Sequence, residues 1–397
     1  MGIVTVETTL TSELCENLRS WRHHLHRNPE LPFQEHGTAA YLAGILETLG
    51  GVEVTGGIGG TGLVATLTRG SGAGVIGLRA DMDCLPLAEA GDHAHISRNG
   101  GAMHACGHDG HMTMVLGAAA ALAAGGGFDG TVRFIFQPAE EPGRGARAMV
   151  DDGLFDTFPV DRIYGLHNLP SVPAGHFHLR EGALLASEDN FEIRIRGRGG
   201  HASMPEVLVD PLVVGAEIIL ALQTVVARNI PPSQSAVVSC TEVVTDGSRN
   251  AIPSEVIIRG DTRSYTPEVR EILERRIRGI AEGLCAGYGA SCTVSYIHEF
   301  EPTVNHPGCV EAAARAAISV VGPDGVNTTA DPVMGSEDFG VFAREVPGCF
   351  AFIGNGTEPG KGGTPLHSSD YDFNDDILAV GVEYYVTLIR SLLPVST

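Results

Sequence analysis

The chain has 397 residues, more than one ordinary hydrophobic core accommodates, so its length predicts at least two domains. Its formal net charge of -22 predicts repulsion from phosphate backbones and anionic membranes, which argues against a nucleic acid or membrane partner. The first residues lack the pattern of a signal peptide, and no run approaches about 18 uninterrupted apolar residues. We therefore expect a cytoplasmic protein, and its eight cysteines, without a CxxC pair, should be reduced.

The first part of the chain alternates short apolar runs with helical segments. Helices are predicted over 12–27 and 36–49, and again over 110–124 and 143–152. Strand-length apolar runs lie among them: GLVATLTR, GVIGLRA, TVRFIFQ and RIYGLHN. Alternation of this kind predicts an α/β domain of three layers.

The pattern changes near residue 187. A strand at 191–197, a long apolar helix from Pro211, two strands, an amphipathic helix and a last strand follow one another. The order βαββαβ is typical of a ferredoxin-like α+β module. After about residue 305 the α/β pattern resumes. We therefore predict a discontinuous α/β domain over 1–186 and 302–397, interrupted by a smaller domain over 187–301.

Side chains of metal-binding type gather near the ends of the predicted strands. They are Asp81 and Asp83 after GVIGLRA, MHACGHDGH at 103–111, Glu140 and Glu141 after TVRFIFQ, His167 in RIYGLHN, and His367 in a loop after CFAFIG. Sites in open α/β sheets form at the carboxyl ends of the strands. Because Asp, Cys, His and Glu bind divalent metals, the clusters predict one shared metal site.

Taken singly, these features have ordinary explanations. Adjacent glutamates are common in solvated loops, a lone His167 or His367 is unremarkable, and a single Cys-x-His pair is a weak signal. However, three histidines, a cysteine and an aspartate within nine residues are poor core material, because buried polar groups need partners. Beside a metal, one of two adjacent glutamates would ligate while the other takes a proton from water. The combination favours a metal site.

Other conspicuous residues are assigned structural roles. His23, His24 and His26 lie on the predicted first helix, and His93 and His95 lie in a polar loop where we expect them to be solvated. A GxGxxG pattern near residue 60 is followed by a strand rather than by the helix that a dinucleotide site requires. The sequence has no GxSxG, Walker A or HExxH pattern, so serine esterase, P-loop and thermolysin-like interpretations lack support.

Six motifs together resemble one family. They are RADMDCLP, MHACGHDGH, QPAEE, GLHN, GRGGHASMPE and PLHSSDY. In these motifs the chain is similar to the aminoacylase/carboxypeptidase amidohydrolases, in the branch of hippurate hydrolase, N-acetyldiaminopimelate deacetylase and the plant auxin-amino-acid conjugate hydrolases. The resemblance runs from about residue 20 to 376. It implies a catalytic α/β domain with an inserted ferredoxin-like lid, through which the chain forms a homodimer or a higher homo-oligomer.

The resemblance also implies two divalent metal ions per chain. Manganese or zinc is expected, and cobalt or nickel also suits thiolate, imidazole and carboxylate ligands. By the resemblance, Cys106 bridges both ions as a thiolate. His108 and His167 would hold one ion, and Glu141 and His367 the other.

Further roles follow from the resemblance alone. Glu140 matches the general base, which takes a proton from the attacking water and returns it to the leaving nitrogen. Asp83 matches a carboxylate that orients a ligand imidazole. His201 matches a lid histidine that reaches the neighbouring subunit's site and steadies the oxyanion. Asn250 and Arg263 match lid groups that grip the substrate carboxylate.

The expected activity is metal-dependent hydrolysis of the amide bond of small N-acyl amino acids, which yields a carboxylate and a free amino acid. Three alternatives remain open: a dipeptidase or carboxypeptidase of the same family, a binding homologue without activity, and a redox or metal-storage protein that uses Cys106. The chain departs from the family pattern at Cys84, where alanine is usual, and in the loop 89–101. We expect this loop to bear on substrate preference.

Overall fold

The computed structural model describes residues 10–395, which fold as two compact units. The second unit consists of Leu185–Thr303 and Pro332–Glu337, and the rest of the described chain forms the first. The short segment 332–337 lies outside the bounds predicted for the smaller domain. This segment belongs to the second unit because its backbone is hydrogen-bonded to residue 186. The backbone N–H of Ala186 donates to the carbonyl oxygens of Val333 and Gly335 at 3.2 and 3.0 Å.

The first unit opens with two helices and a hairpin. The elements are α1 (Ser12–Arg27), α2 (His36–Leu46), β1 (Val52–Ile58), β2 (Gly62–Arg69), β3 (Val75–Asp81), α3 (His108–Gly125), β4 (Gly130–Gln137), α4 (Gly145–Asp151), α5 (Leu154–Thr157), β5 (Arg162–Pro170), β6 (Phe177–His178) and β7 (Gly182–Leu185). The GxGxxG pattern lies in the antiparallel hairpin of β1 and β2, so it opens no helix.

The second unit has the elements β8 (Ser187–Arg196), β9 (Gly200–His201), α6 (Pro211–Asn229), β10 (Ala236–Thr245), β11 (Ala251–Ile252), β12 (Glu255–Ser264), α7 (Pro267–Gly287) and β13 (Ser291–Phe300). Its antiparallel sheet has the order β10-β12-β8-β13, and both long helices pack on it. Apolar residues alternate along β8, which places Ile193 and Ile195 in a core with Leu222 of α6 and Leu273 of α7. This arrangement is the expected ferredoxin-like α+β module.

Helix α6 is long and apolar enough, by length and composition alone, to cross a membrane. About a third of its most apolar stretch, 33%, is buried inside the protein, where Val214, Ile218 and Leu222 pack in the core of the second unit. Its outer face is also apolar, since Leu220 is 71% exposed.

The chain then completes the first unit with β14 (Thr303–Asn305), α8 (Pro307–Val321), β15 (Val326–Asn327), α9 (Phe339–Glu345), β16 (Gly348–Gly356) and α10 (Leu378–Leu392). The eight-stranded sheet has the order β1-β2-β4-β3-β5-β16-β6-β15. Helices α3, α8 and α10 pack together on one face, with α1 against α3, and α4 and α9 pack together on the strands of the other face. The α/β class with three layers is confirmed.

The centre of the sheet is parallel and buried on both faces. Strands β4, β3, β5 and β16 run in one direction, so their carboxyl ends share one edge. Helix α3 is buried on nearly every side, with Met112, Val115 and Leu116 fully inaccessible. The amino end of this central helix carries the Cys-x-His motif, which brings the motif to the same edge.

Candidate active site

The carboxyl edge of the parallel strands collects the residues predicted from the strand-end motifs. Asp83 follows β3 by two residues, and Glu140 and Glu141 follow β4. His167 lies near the end of β5, and His367 lies in the loop between β16 and α10. The sheet therefore gathers segments that are up to 284 residues apart in the sequence, from Asp83 to His367.

Gly107 sets the geometry of the Cys-x-His motif. It precedes α3 in the left-handed region, at φ 90°. A Cβ atom at this position would lie 2.3 Å from Oδ1 of Asn168 and 2.8 Å from the hydroxyl of Tyr371. Glycine is therefore required at this position, because the φ angle is left-handed and because a side chain would collide with its neighbours. The turn that glycine permits brings Cys106 and His108 to one site.

Two groups of possible metal ligands share Cys106. One is Cys106, His108 and His167, and the other is Cys106, Glu141 and His367; within each group the ligand atoms lie within 4.8 Å of one another. The structure thus brings together all five residues whose ligand role the family resemblance implies. Their function as ligands stays a prediction.

The donor atoms fit a metal ion. Sγ of Cys106 lies 3.5 Å from Nε2 of His167, which is the separation of about 3.5 Å expected between sulfur and nitrogen ligands of one tetrahedral zinc ion. His167 donates from Nδ1 to the carbonyl of Asn168 at 2.7 Å, so its Nε2 lone pair faces the sulfur. His108 donates from Nδ1 to the carbonyl of Asp83 at 2.9 Å. Within residues 10–395 its buried Nε2 has no hydrogen-bond partner.

The electrostatics of the group also favour a cation. Burial and the Glu141 carboxylate raise the pKa of the Cys106 thiol well above its usual value. Burial and the neighbouring His111 hold the pKa of His167 well below its usual value, so this imidazole is neutral. Burial opposes charge on His108, but its interactions with Asp81 and Asp83 raise its pKa well above its usual value. The surroundings of His108 therefore stabilise positive charge, which a divalent ion would supply.

Asp83 organises the glutamate pair as well as His108. Its two carboxylate oxygens accept hydrogen bonds from the backbone N–H groups of Glu140 and Glu141, each at 3.0 Å. The carbonyl oxygen of Asp83 is 2.9 Å from Nδ1 of His108, whereas its carboxylate Oδ1 is 3.4 Å from the same atom. The residue before the pair, Ala139, has a left-handed φ of 48° and donates to Glu35 at 2.9 Å. Asp83 thus fixes a turn that points both glutamates into the site.

A polar chain behind the candidate ligands was not assigned a role from the sequence. Nδ1 of His111 lies 2.7 Å from Oδ1 of Asp81, and its Nε2 lies 2.7 Å from Oδ1 of Asn168. Asn168 in turn donates to the hydroxyl of Tyr371. All four residues are buried. The spacing of His108 and His111, three residues apart on a helix, was the available signal, since it places both on one face.

The second unit holds the remaining predicted residues in two places. His201 lies on β9, and Asn250 immediately precedes β11, which pairs with β9. The carbonyl of Asn250 accepts from Ala202 at 3.0 Å, so His201 and Asn250 share one exposed ribbon. Arg263 lies on β12, where its guanidinium contacts Glu188 at 2.8 Å and Asp261 at 3.1 Å.

The loop histidines differ from their prediction. The expectation that His93 and His95 are solvated was wrong for His95, which is 7% exposed, and the side chain of His93 is only 19% exposed. They pack against His26, because the loop 89–101 folds back onto α1: Arg98 donates to the carbonyl of Arg27 at 2.9 Å.

Comparison with known proteins agrees with the motifs. Residues 77–391 match the model of Peptidase family M20/M25/M40. The chain is 39% identical to the hippurate hydrolase of Campylobacter jejuni, over 94% of this chain and 95% of that protein. It is 37% identical to the N-acetylcysteine deacetylase of Bacillus subtilis, with coverage of 94% and 95%.

A solved structure matches over the whole fold. The Bacillus subtilis YXEP protein, described as a dinuclear metal binding peptidase from the M20 family, has a TM-score of 0.84 and 32% identity, over 96% of this chain and 99% of that one. The family resemblance inferred from the six motifs is thereby confirmed. The chain belongs to peptidase family M20/M25/M40.

Proposed function

We propose that this protein is a metal-dependent amidohydrolase that cleaves small N-acyl amino acids into a carboxylate and a free amino acid. The observation that carries the proposal is the pair of ligand groups that share Cys106, with Glu140 beside them. The names of two relatives support the substrate class, since hippurate hydrolase and N-acetylcysteine deacetylase both denote enzymes of acylated amino acids.

We assign the metal ligands as the resemblance implies. His108 and His167 would hold one ion, Glu141 and His367 the other, and Cys106 would belong to both. Bound divalent ions would polarise the amide carbonyl and lower the pKa of water. Manganese and zinc suit this mixed ligand set, as do cobalt and nickel. Metal coordination would remove the proton that burial otherwise retains on the Cys106 thiol.

Glu140 is assigned as the general base. Its residue is 6% exposed, and its Oε2 lies 3.8 Å from Nε2 of His108, so it borders the ligand group. From this position its carboxylate takes the proton of the attacking water and then delivers it to the leaving nitrogen. An amine is a poor leaving group without that proton, so one residue serves both halves of the reaction. Asp83 holds the backbone of Glu140 in place through the bond to its N–H.

His201 is assigned to the oxyanion, in the site of a neighbouring subunit. The backbone N–H of Ser203 donates to Nδ1 of His201 at 3.2 Å, which makes Nδ1 an acceptor and leaves the ring proton on Nε2. Nε2 is then a donor suited to a developing negative oxygen. Asn250 on the same ribbon, and Arg263, would bind the substrate carboxylate. The guanidinium of Arg263 forms an ion pair with Glu188, and it would have to release Glu188 in order to bind the substrate.

We further propose a cytoplasmic homodimer or higher homo-oligomer formed through the second unit. The outer face of α6 exposes Val213 at 50% and Leu220 at 71%, and the edge strand β10 exposes Val243 at 49%. An apolar helix face and an open strand edge are surfaces that proteins usually cover. Leu220→Asp should therefore dissociate the oligomer in sedimentation, whereas Ile318→Asp on α8 should not.

The direct test is release of free amino acid from a panel of N-acyl amino acids, including hippurate and N-acetylmethionine. Each substrate is assayed with added manganese, with added zinc and with a chelator. We expect release that depends on metal. The same panel includes dipeptides with a free amino group, because the matched YXEP protein is described as a peptidase. Faster cleavage of dipeptides would favour the peptidase alternative, and no release by folded protein would contradict the proposal.

A further inference from the structure

A second cluster of histidines and carboxylates lies behind the amino end of α3, in the same unit. His26 of α1 places Nε2 at 3.0 Å from Oε1 of Glu89, and Nε2 of His93 lies 2.7 Å from the same oxygen. The three possible ligand atoms lie within 4.8 Å of one another. None of these residues belongs to the groups that share Cys106.

The cluster continues on the other side of His93. The rings of His93 and His95 stack with centroids 4.0 Å apart, and Nε2 of His95 lies 3.0 Å from Oδ1 of Asp372. His93, His95 and Asp372 form a further group whose ligand atoms lie within 4.8 Å. His93 is thus common to two groups, as Cys106 is in the candidate active site.

The charges of the cluster do not balance. Four carboxylates belong to it, those of Glu89, Asp109, Asp372 and Asp375. Two guanidinium groups face them, that of Arg22 and, at 3.2 Å from Asp375, that of Arg19. Arg22 contacts Asp109 at 3.4 Å and Asp372 and Asp375 at 2.7 Å each, so its charge is shared among three of the four acids. The side chains of Glu89 and Asp109 are at most 2% exposed, and buried carboxylates require protons or cations nearby.

Several imidazole nitrogens of the cluster are unused. Nδ1 of His93 has no hydrogen-bond partner within the described part of the chain, whereas its Nε2 lies 2.7 Å from Oε1 of Glu89. Among the described residues, neither nitrogen of His104 has a hydrogen-bond partner. His104 is 1% exposed, and its ring centroid lies 6.4 Å from that of His26. Buried, unpaired imidazoles are costly unless they bind something.

We propose that His26, Glu89 and His93 bind a transition-metal dication of the zinc type, with His95 and Asp372 as adjoining donors. Two or three imidazoles with one or two carboxylates suit zinc or nickel better than magnesium or calcium, which prefer oxygen ligands. The competing occupant is a proton on His26. Burial opposes that charge, but Asp109 and Glu89 outweigh burial and raise the pKa of His26 to about 9.

The cluster needs only a small change to receive the ion. Contacts to Oε1 of Glu89 are 2.7 and 3.0 Å, whereas ligand atoms around a tetrahedral zinc ion are about 3.3 Å apart. Glu89 and His93 lie in a loop without helix or strand, so a shift of these two residues would not disrupt a helix or a strand. Asp372 and Asp375 also line a cleft of about 170 Å³. Through this cleft, the end of the cluster that contains Asp372 is open to solvent.

The site would support the candidate active site without taking part in its chemistry. His26 Nδ1 lies 2.8 Å from Oδ2 of Asp109, the residue that follows His108 at the start of α3. An ion at His26, Glu89 and His93 would tie α1, the loop 89–101 and, through Asp109, the amino end of α3 together.

The test counts zinc in full-length protein that has been stripped with a chelator, equilibrated with Zn²⁺ and dialysed. His93→Gln is compared with His36→Gln, an exposed histidine at the start of α2. We expect His93→Gln to bind one zinc ion fewer per chain than His36→Gln. Zinc in the Cys106 groups contributes equally to both variants and cancels in the difference.

A zinc-edge anomalous difference map of the wild-type crystal gives an independent result, and it decides alone if His93→Gln does not fold. A peak between His26, Glu89 and His93 supports the proposal. Equal zinc counts in both variants together with a map without this peak would overturn it, and would leave a protonated His26 as the occupant. Failure of the proposed amidohydrolase activity would appear in the substrate panel and would not alter this zinc count.

Discussion

The first unit contains two clusters of similar chemistry that are built in different ways. The Cys106 groups stand at the carboxyl edge of four parallel strands, where the sheet fixes each segment. The His26 cluster joins a helix, a loop without regular structure and a segment beyond residue 370. The first is thus positioned by the architecture of the fold, whereas the second depends on side-chain contacts.

The difference teaches what each cluster is suited to. A reacting group must be held within a fraction of an ångström, which a sheet edge and a buried helix provide. A structural ion has no such demand, because it organises its own ligands as it binds. We therefore expect the Cys106 groups to govern turnover and the His26 cluster to contribute to stability but not to turnover. Four changes, in decreasing order of expected effect, test that division.

Glu140→Gln should have the largest effect. It removes the proposed base but keeps the size of the side chain, so turnover should fall by about 10³- to 10⁴-fold. Metal content, measured by mass spectrometry of the dialysed protein, should stay unchanged because Glu140 is not a proposed ligand. Glu53→Gln on the exposed face of β1 is the control. Near wild-type turnover in Glu140→Gln would sink the assignment of the base.

Gly107→Ala should destabilise the protein by about 3 kcal/mol, because the new Cβ meets Asn168 and the backbone is left-handed. Gly44→Ala on α2 is the matched control: nothing lies within 4 Å of its Cβ, and it should stabilise by about 0.5–1 kcal/mol. Chemical denaturation measures both. If the two variants had the same free energy of unfolding, the turn would not depend on glycine.

Asp83→Asn should slow hydrolysis by about 10- to 100-fold, as outer partners of metal ligands commonly do. An amide oxygen can replace only one of the two carboxylate oxygens that accept from Glu140 and Glu141. Turnover and metal affinity should therefore both decline. Asp324→Asn at an exposed turn serves as the control, and equal rates for the two variants would remove Asp83 from the site.

The smallest expected effect concerns the second cluster. Zinc should raise the thermal midpoint of wild-type protein more than that of His93→Gln, by about 2 °C if the ion contributes about 2 kcal/mol at saturation. Differential scanning calorimetry with and without zinc measures this difference. Identical zinc responses in the two proteins would show that the His26 cluster gains no stability from metal.

The two clusters also differ in how far the sequence foretold them. The gathering of residues around Cys106 was predicted because strand periodicity placed Asp83, Glu140 and His167 at one edge and because the motifs match a family, while the ligand roles stay predictions. No local pattern joins His26 to His93 and Asp372, which are 67 and 346 residues away along the chain. Their meeting depends on the path of the loop 89–101, which a polar sequence without periodicity does not specify. The segment 332–337 was misplaced for the same reason, since it has neither helix nor strand.

The most direct test of the account is restoration of hydrolysis in metal-stripped protein, with wild type and Cys106→Ala side by side. N-acyl amino acid is supplied, zinc or manganese is titrated in, and release of the amino acid is followed. We predict that stripped wild type is inactive and recovers with metal, and that Cys106→Ala, although folded, does not recover. Full activity of stripped wild type, or full recovery of Cys106→Ala, would contradict a catalytic centre built on this cysteine.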